Sequence, residues 1–378
     1  MIKEAARVAP VWRRLFGVPL LVTVAFGLLM GVVALIYGLP LRDPDGFLGP
    51  SWVRLPLIVL LMMAADIVPR VVSRRPGLKD LASTTLEVAR TRWTLSRLGV
   101  IAAGLGTFYL AYVAYRNLKS FLPFVQSRLT DTMLLATDRW FGAGAYPADI
   151  LQDILGTGIS ATILSGAYML FMVFVPMSLA VALVWSDHLV RGAWYATALS
   201  FNWIIGTVTY YLLPSLGPIY VEQQSFSDLP TTAVSGLQDS LYETRVEVLA
   251  NPHATDSVHG IAAFASLHVS IIFTAALVAQ LANLPKVVRV VMWIYFALTA
   301  LATVYFGWHY VLDVFAGLLV GALSVWLAAK AVSASGMGTV AVAKIPLADG
   351  GHLSAAGADT PADEPAGQLV PERGRTTD

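Results

Sequence analysis

The 378-residue chain contains no cysteine. That excludes a disulfide framework, a thiolate nucleophile and any Cys-ligated metal centre. Charge is also scarce: Asp, Glu, Lys and Arg make up 13% of the residues, against roughly 25% in soluble domains. The two signs nearly cancel, leaving a net charge of +1, so no basic field exists to hold a nucleic acid. What fills the chain is apolar, with 57% hydrophobic residues and a mean hydropathy of +0.68. An all-α polytopic membrane helix bundle is the fold class this composition implies.

Apolar runs of about 17–26 residues, the length a spanning helix needs, occur at roughly 15–39, 53–69, 98–115, 160–185, 192–213, 261–284, 287–306 and 308–330. They predict about eight transmembrane helices, of which the last six would form the core. Pro56 and Asp66 interrupt the second run, and Asp66 is spaced to pair with Arg70 one turn on. The first run is too long for a signal-peptide core, and no small-residue cleavage site follows it, so it reads as a retained anchor.

The chain thus divides into residues 1–94, a helix pair with a basic loop; 95–332, the membrane core; and 333–378, a tail of Ala, Gly, Pro, Thr and Asp expected to be disordered. A short surface helix is expected around 78–91. The amphipathic stretch Asp138–Gly142 is expected at the interface. Residues 214–260 are polar and acidic and are placed to cap a site at the membrane surface. His253 and His259 read as loop residues, and Pro214 and Pro218 as turn formers.

Charge sets the expected orientation. With both termini in the cytoplasm, most of the 25 Lys and Arg fall on the cytoplasmic side, seven of them at Arg70, Arg74, Arg75, Lys79, Arg90, Arg92 and Arg97.

Within this frame two histidines stand out. Ser266-Leu267-His268 opens one apolar run and His309-Tyr310-Val311-Leu312-Asp313 opens another, with about 40 residues between them. At about 1.5 Å per residue and about 30 Å of hydrocarbon, that interval is one crossing and one return. Both histidines therefore lie on one membrane face, the extracytoplasmic one in this orientation. Asp313 follows His309 by one helical turn. A single membrane histidine is often a packing hydrogen bond between helices. Two histidines and a carboxylate converging at one surface point to chemistry. Imidazole serves as nucleophile or proton donor near neutral pH, and a carboxylate on one ring nitrogen fixes the tautomer.

Ser266-x-His268 with His309-x-x-x-Asp313 resembles the type 2 phosphatidic acid phosphatase (PAP2) superfamily. The forms Ser-Leu-His and His-Tyr-x-x-Asp are similar to its inositol-phosphorylceramide synthase and sphingomyelin synthase branch. The resemblance spans roughly 200–325, with an outlying Tyr115-Arg116. The Lys-x6-Arg-Pro element of the phosphatase members is absent, and Ala302 and Thr303 stand where those members carry Ser-Arg.

The resemblance implies that His268 is phosphorylated, and that His309, oriented by Asp313, protonates the leaving group and then activates the acceptor. It implies a phospholipid donor, an acceptor that is a lipid alcohol or water, and metal-independent chemistry without a cofactor. Two histidines and an aspartate do match a metal triad in ligand count.

Candidates for the phosphate cradle are Arg116 and Lys119, one turn apart, with Asn117, Ser266 at the start of its helix, and Arg245. Three readings follow: a headgroup transferase, a lipid phosphate or polyprenyl diphosphate phosphatase with the same site, and a non-enzymatic lipid transporter using His and Asp as a proton relay. No inverted repeat of the transporter kind is present.

Overall fold

The structure is a computed structural model that describes residues 10–46 and 50–333. The expected disordered tail lies, beyond Ser333, outside the described residues.

Among the described residues the regular structure is helical. The helices are α1 (Val11–Tyr37), α2 (Ser51–Ser73), α3 (Leu81–Arg92), α4 (Leu95–Val125), α5 (Asp131–Phe141), α6 (Pro147–Leu155), α7 (Ile159–Ala180), α8 (Leu189–Leu212), α9 (Ala233–Ala250), α10 (Leu267–Leu281), α11 (Lys286–Tyr305) and α12 (Val311–Ser333). Local chemistry sets several boundaries. Gly38, in the left-handed region at φ 63°, ends α1. Thr94 caps α4 by accepting the Arg97 N–H, and Thr232 with Ser235 forms a capping box at α9.

Every expected membrane segment coincides with a helix. Six are long and apolar enough to cross a bilayer: Val11–Tyr37, Trp52–Ser73, Leu95–Val125, Ile159–Trp185, Lys286–Tyr305 and Val311–Ser333. The chain is a multi-pass membrane protein.

The two remaining segments differ from expectation for physical reasons. α8 is long but carries Thr197, Ser200, Asn202 and Thr207, all buried between helices. Asn202 donates to Thr274 Oγ1 at 3.0 Å and accepts from Ser270, so the α8–α10 seam is hydrogen-bonded. α10 has only 15 residues, because 257–266 runs in as an extended segment rather than a helix.

Asp66 is buried, and it meets Arg70, the Arg92 Nε at 3.0 Å and the Trp93 Nε1 at 3.0 Å. The ion pair expected from the sequence is therefore part of a larger knot between α2 and the end of α3. The surface helix expected at 78–91 is α3.

α1 packs on α4, α4 on α8, α8 on α12, α12 on α10, α10 on α11 and α11 on α7. Gly317 and Gly321 let α10 and α12 close on each other. A Cβ at either position would stand 2.6 Å from the Ser266 carbonyl or 2.8 Å from that of Ser270. Small residues four apart allow this backbone approach. It sets the start of α10, which bears His268, against the start of α12, which bears Asp313.

Candidate active site

His268 is the second residue of α10. Ser266, fully buried, caps that helix: its Oγ accepts the Val269 N–H at 3.4 Å and its own N–H donates to the Asp313 carbonyl at 3.1 Å. The helix start carrying His268 is thereby tied to the helix start carrying Asp313. The His268 ring stacks on Tyr168 of α7, with centroids 4.4 Å apart and planes at 20°. Phe171, one turn on, lies at 4.1 Å. These two rings hold the imidazole plane and leave its edge nitrogens outside the stack. Tyr168 in turn stacks on Trp308 at 5.3 Å.

The His309 ring lies 6.3 Å from that of His268. Its Nδ1 meets Asp313 Oδ2 at 3.3 Å, and both residues are buried. The pairing arises differently from a helical turn, because α12 begins only at Val311. Asp313 is the third residue of the helix, and its Oδ2 also accepts the Tyr310 N–H at 3.0 Å. This is the acidic half of a capping box, reaching back over the helix start. One carboxylate oxygen thus closes the helix end and holds the imidazole.

Two aspartates of α5 support this corner from below. Asp138 Oδ1 accepts the Val311 N–H at 2.9 Å. Asp131 Oδ1 accepts the Tyr310 hydroxyl at 2.9 Å, and its carboxylate takes the N–H groups of Leu216 and Gly217 at 2.9–3.0 Å. The stretch expected at the interface is therefore half interior: Trp140 is exposed while Asp138 is fully buried. The 214–260 segment packs over the same corner, with Gln238 of α9 donating to the Phe306 carbonyl at 2.8 Å. Gly217, at φ 104°, permits this approach, since a Cβ there would stand 2.5 Å from the Trp308 carbonyl.

Burial raises the Asp138 carboxyl to about 7, the Val311 N–H opposing the shift only in part. A carboxyl raised in the folded state stabilises the fold below its ordinary value of 3.8, and that contribution is lost as pH rises through about 7. Asp138→Asn keeps the acceptor for Val311 without the ionisation. It is expected to match wild type in thermal midpoint below about pH 4, to pull ahead as pH rises from there to about 7, and to exceed it by several degrees at pH 8. Parallel midpoints over pH 4–8 would refute this.

Of the cradle candidates, Lys119 and Arg116 lie one turn apart on α4, beside the segment that leads to α10. Lys119 is buried, with its ammonium 4.8 Å from the Tyr210 ring centroid and 3.5 Å from the Tyr115 hydroxyl. Arg116 Nη2 donates to the Val258 carbonyl at 3.4 Å. Arg245 is on α9.

Asn117 does not join them, which corrects the sequence expectation. Its Nδ2 donates to the carbonyls of Arg42 and Val113, and its Oδ1 accepts the Arg42 N–H, all at 2.9 Å. Both amide donors are thus occupied, and none is left for a phosphate. Successive helix positions do not share a face, so Asn117 points toward the chain leaving α1 while Arg116 and Lys119 point elsewhere.

Sequence reasoning missed Tyr168, Phe171, Asp131 and Asp138, none of which carries a local motif. The Gly317-x-x-x-Gly321 spacing was a usable signal for the close helix approach.

The sequence family described as the PAP2 superfamily matches residues 132–327, which contain the histidine pair, Asp313 and Asp138. No curated protein and no solved structure matches the chain.

Proposed function

The chain belongs to the PAP2 superfamily, and from that premise we propose that it moves a phospho-headgroup, phosphoinositol or similar, from a phospholipid donor to a lipid or polyprenol alcohol. Residues 95–332 form its catalytic core. The observation that carries this reading is the convergence of His268 and the His309–Asp313 pair, ring centroids 6.3 Å apart, at adjoining helix starts.

The chemistry follows from that arrangement. A nitrogen of His268 attacks phosphorus, and the bond from phosphorus to the diacylglycerol oxygen breaks as His309 gives that oxygen its proton. The acceptor hydroxyl then loses its proton to His309 and attacks the phosphohistidine. The N–P bond breaks, regenerating neutral His268 and protonated His309. Asp313 accepts the Nδ1–H of His309, which leaves Nε2 to give and take the transferred proton, and stabilises the imidazolium. Lys119 and Arg116, with the hydroxyl of Ser266, balance the phosphate charge. The Ser-Leu-His and His-Tyr-x-x-Asp forms support the transferase branch.

Water in place of the alcohol would make the same site a lipid phosphatase. Lys119, Arg116 and Arg245 favour retaining that second reading, since they supply cations that the missing Lys-x6-Arg-Pro element does not. The charge distribution supports an extracytoplasmic site in a cell membrane, with both termini cytoplasmic.

The test is purified protein in defined lipid with a panel of phosphate-labelled donors, with and without a lipid alcohol. Labelled lipid that requires the alcohol is expected. Phosphate release that ignores the alcohol would make it a phosphatase, and no product from any donor would sink both readings. An impermeant thiol reagent on intact cells should label Ser227→Cys and spare Ser73→Cys; the reverse would invert the topology.

A further inference from the structure

His259 sits in the extended segment leading to α10 and is fully buried. Its Nδ1 accepts the Ile261 N–H at 3.3 Å. A neutral imidazole carries one ring proton, so an accepting Nδ1 places that proton on Nε2. Nε2 is a buried donor with no hydrogen-bond partner among the described residues. Buried donors are almost always paired, so an orphan needs an explanation.

The surroundings supply one. Arg116 Nη2 holds the carbonyl of Val258, the residue just before His259. The residue just after, Gly260, lies under Leu241 of α9, whose Cδ2 would be 3.3 Å from a Cβ at Gly260, with Arg116 Nη1 at 3.9 Å. Arg245 follows Leu241 by one turn on the same face of α9. Lys119 follows Arg116 by one turn on α4. None of these three cations forms an ion pair among the described residues. Burial and the three positive charges hold His259 in its neutral form. The result is a neutral, buried N–H donor close to three cations, in need of an acceptor, which an anion would supply.

We propose that His259 is a substrate-binding residue whose Nε2–H donates to an oxygen of the donor's phosphate, beside Arg116 and Arg245. This rests on the phosphate-transfer reading above and adds to it a third imidazole, which binds and does not react.

Two near-isosteres separate this role from a structural one. Asparagine keeps an acceptor where Nδ1 meets Ile261 and loses the Nε2 donor, whereas glutamine keeps a donor near Nε2 and loses the local acceptor. Each is placed in the full-length His268→Ala protein in detergent, so that no turnover is needed. Inorganic phosphate affinity is read from its stabilisation of the fold. The KM for the lipid donor is measured in parallel with His268 intact.

His259→Asn is expected to weaken phosphate and raise the donor KM by about tenfold or more, and His259→Gln by less than about threefold. The reverse order, or no change in either, would overturn the proposal. Weakened phosphate with an unchanged donor KM would assign the corner to free phosphate and also overturn it. If His259→Asn does not purify folded, Arg245→Gln carries the same expectation in both measurements. Turnover that survives His268→Ala alone would instead remove the phosphohistidine reading, while the phosphate affinities still decide the role of His259.

Discussion

Replacing His268 with alanine is expected to cut product formation at least about 10⁴-fold while leaving donor binding within about threefold. In the proposed reaction the imidazole forms a bond only at the chemical step, whereas the phosphate charge falls to Lys119 and Arg116 on another helix, so the two effects separate. The fold should survive the change. Tyr168 keeps its stack on Trp308, and the Ser266 cap and its bond to the Asp313 carbonyl use no atom of the His268 side chain. The same variant removes the intermediate itself. Wild type quenched during turnover with phosphorus-labelled donor should carry label that is stable in base and lost in acid, as a phosphoramidate is, and the variant should carry none. Equal label in both would place the nucleophile elsewhere. Activity within tenfold of wild type would mean that the histidine pair is not where the chemistry happens.

Much of this site was legible because its parts sit at the ends of apolar runs. The distance from His268 to His309 is one crossing and a return, and that arithmetic needs only the helix rise and the bilayer thickness. It placed both histidines on one face, and the structure brings their rings together. The partnership of Asp313 with His309 was also legible, though for a reason other than the true one. Spacing suggested two residues one turn apart on a helix, but the helix starts two residues after His309, and the carboxylate reaches back as a cap.

The support beneath was not legible. Asp131 and Asp138 lie more than 170 positions before the Tyr310 hydroxyl and Val311 N–H that they accept, and no periodicity links a short loop helix to a distant helix end. Asn117 was misplaced for the opposite reason. Adjacency in sequence to Arg116 suggested a shared role, whereas about 100° of helical rotation per residue turns it to a different neighbour. The His259 orphan donor rests on which ring nitrogen the Ile261 N–H engages, a fact of three-dimensional folding alone.

Asp313→Asn is expected to lower the rate of headgroup transfer by about 10²- to 10⁴-fold with little change in KM. Asparagine is nearly isosteric, and its oxygen can still accept the Tyr310 N–H, so the start of α12 should keep its closure. What changes is the charge beside His309. One oxygen of Asp313 meets both the Tyr310 N–H and the His309 Nδ1, so an amide oxygen in its place keeps both contacts and still accepts the Nδ1–H. The imidazolium formed during the reaction, however, loses its counter-charge in a buried site, where an unpaired charge is costly. Asp313→Ala should do worse on a second axis, lowering the thermal midpoint as well, because it removes the cap that the amide retains. Comparing the two variants separates proton management from helix closure: rate loss in both with destabilisation only in alanine is the expected pattern. An asparagine variant within tenfold of wild type in kcat would show that His309 needs no anionic partner, and would leave Asp313 with a purely structural role at the head of α12.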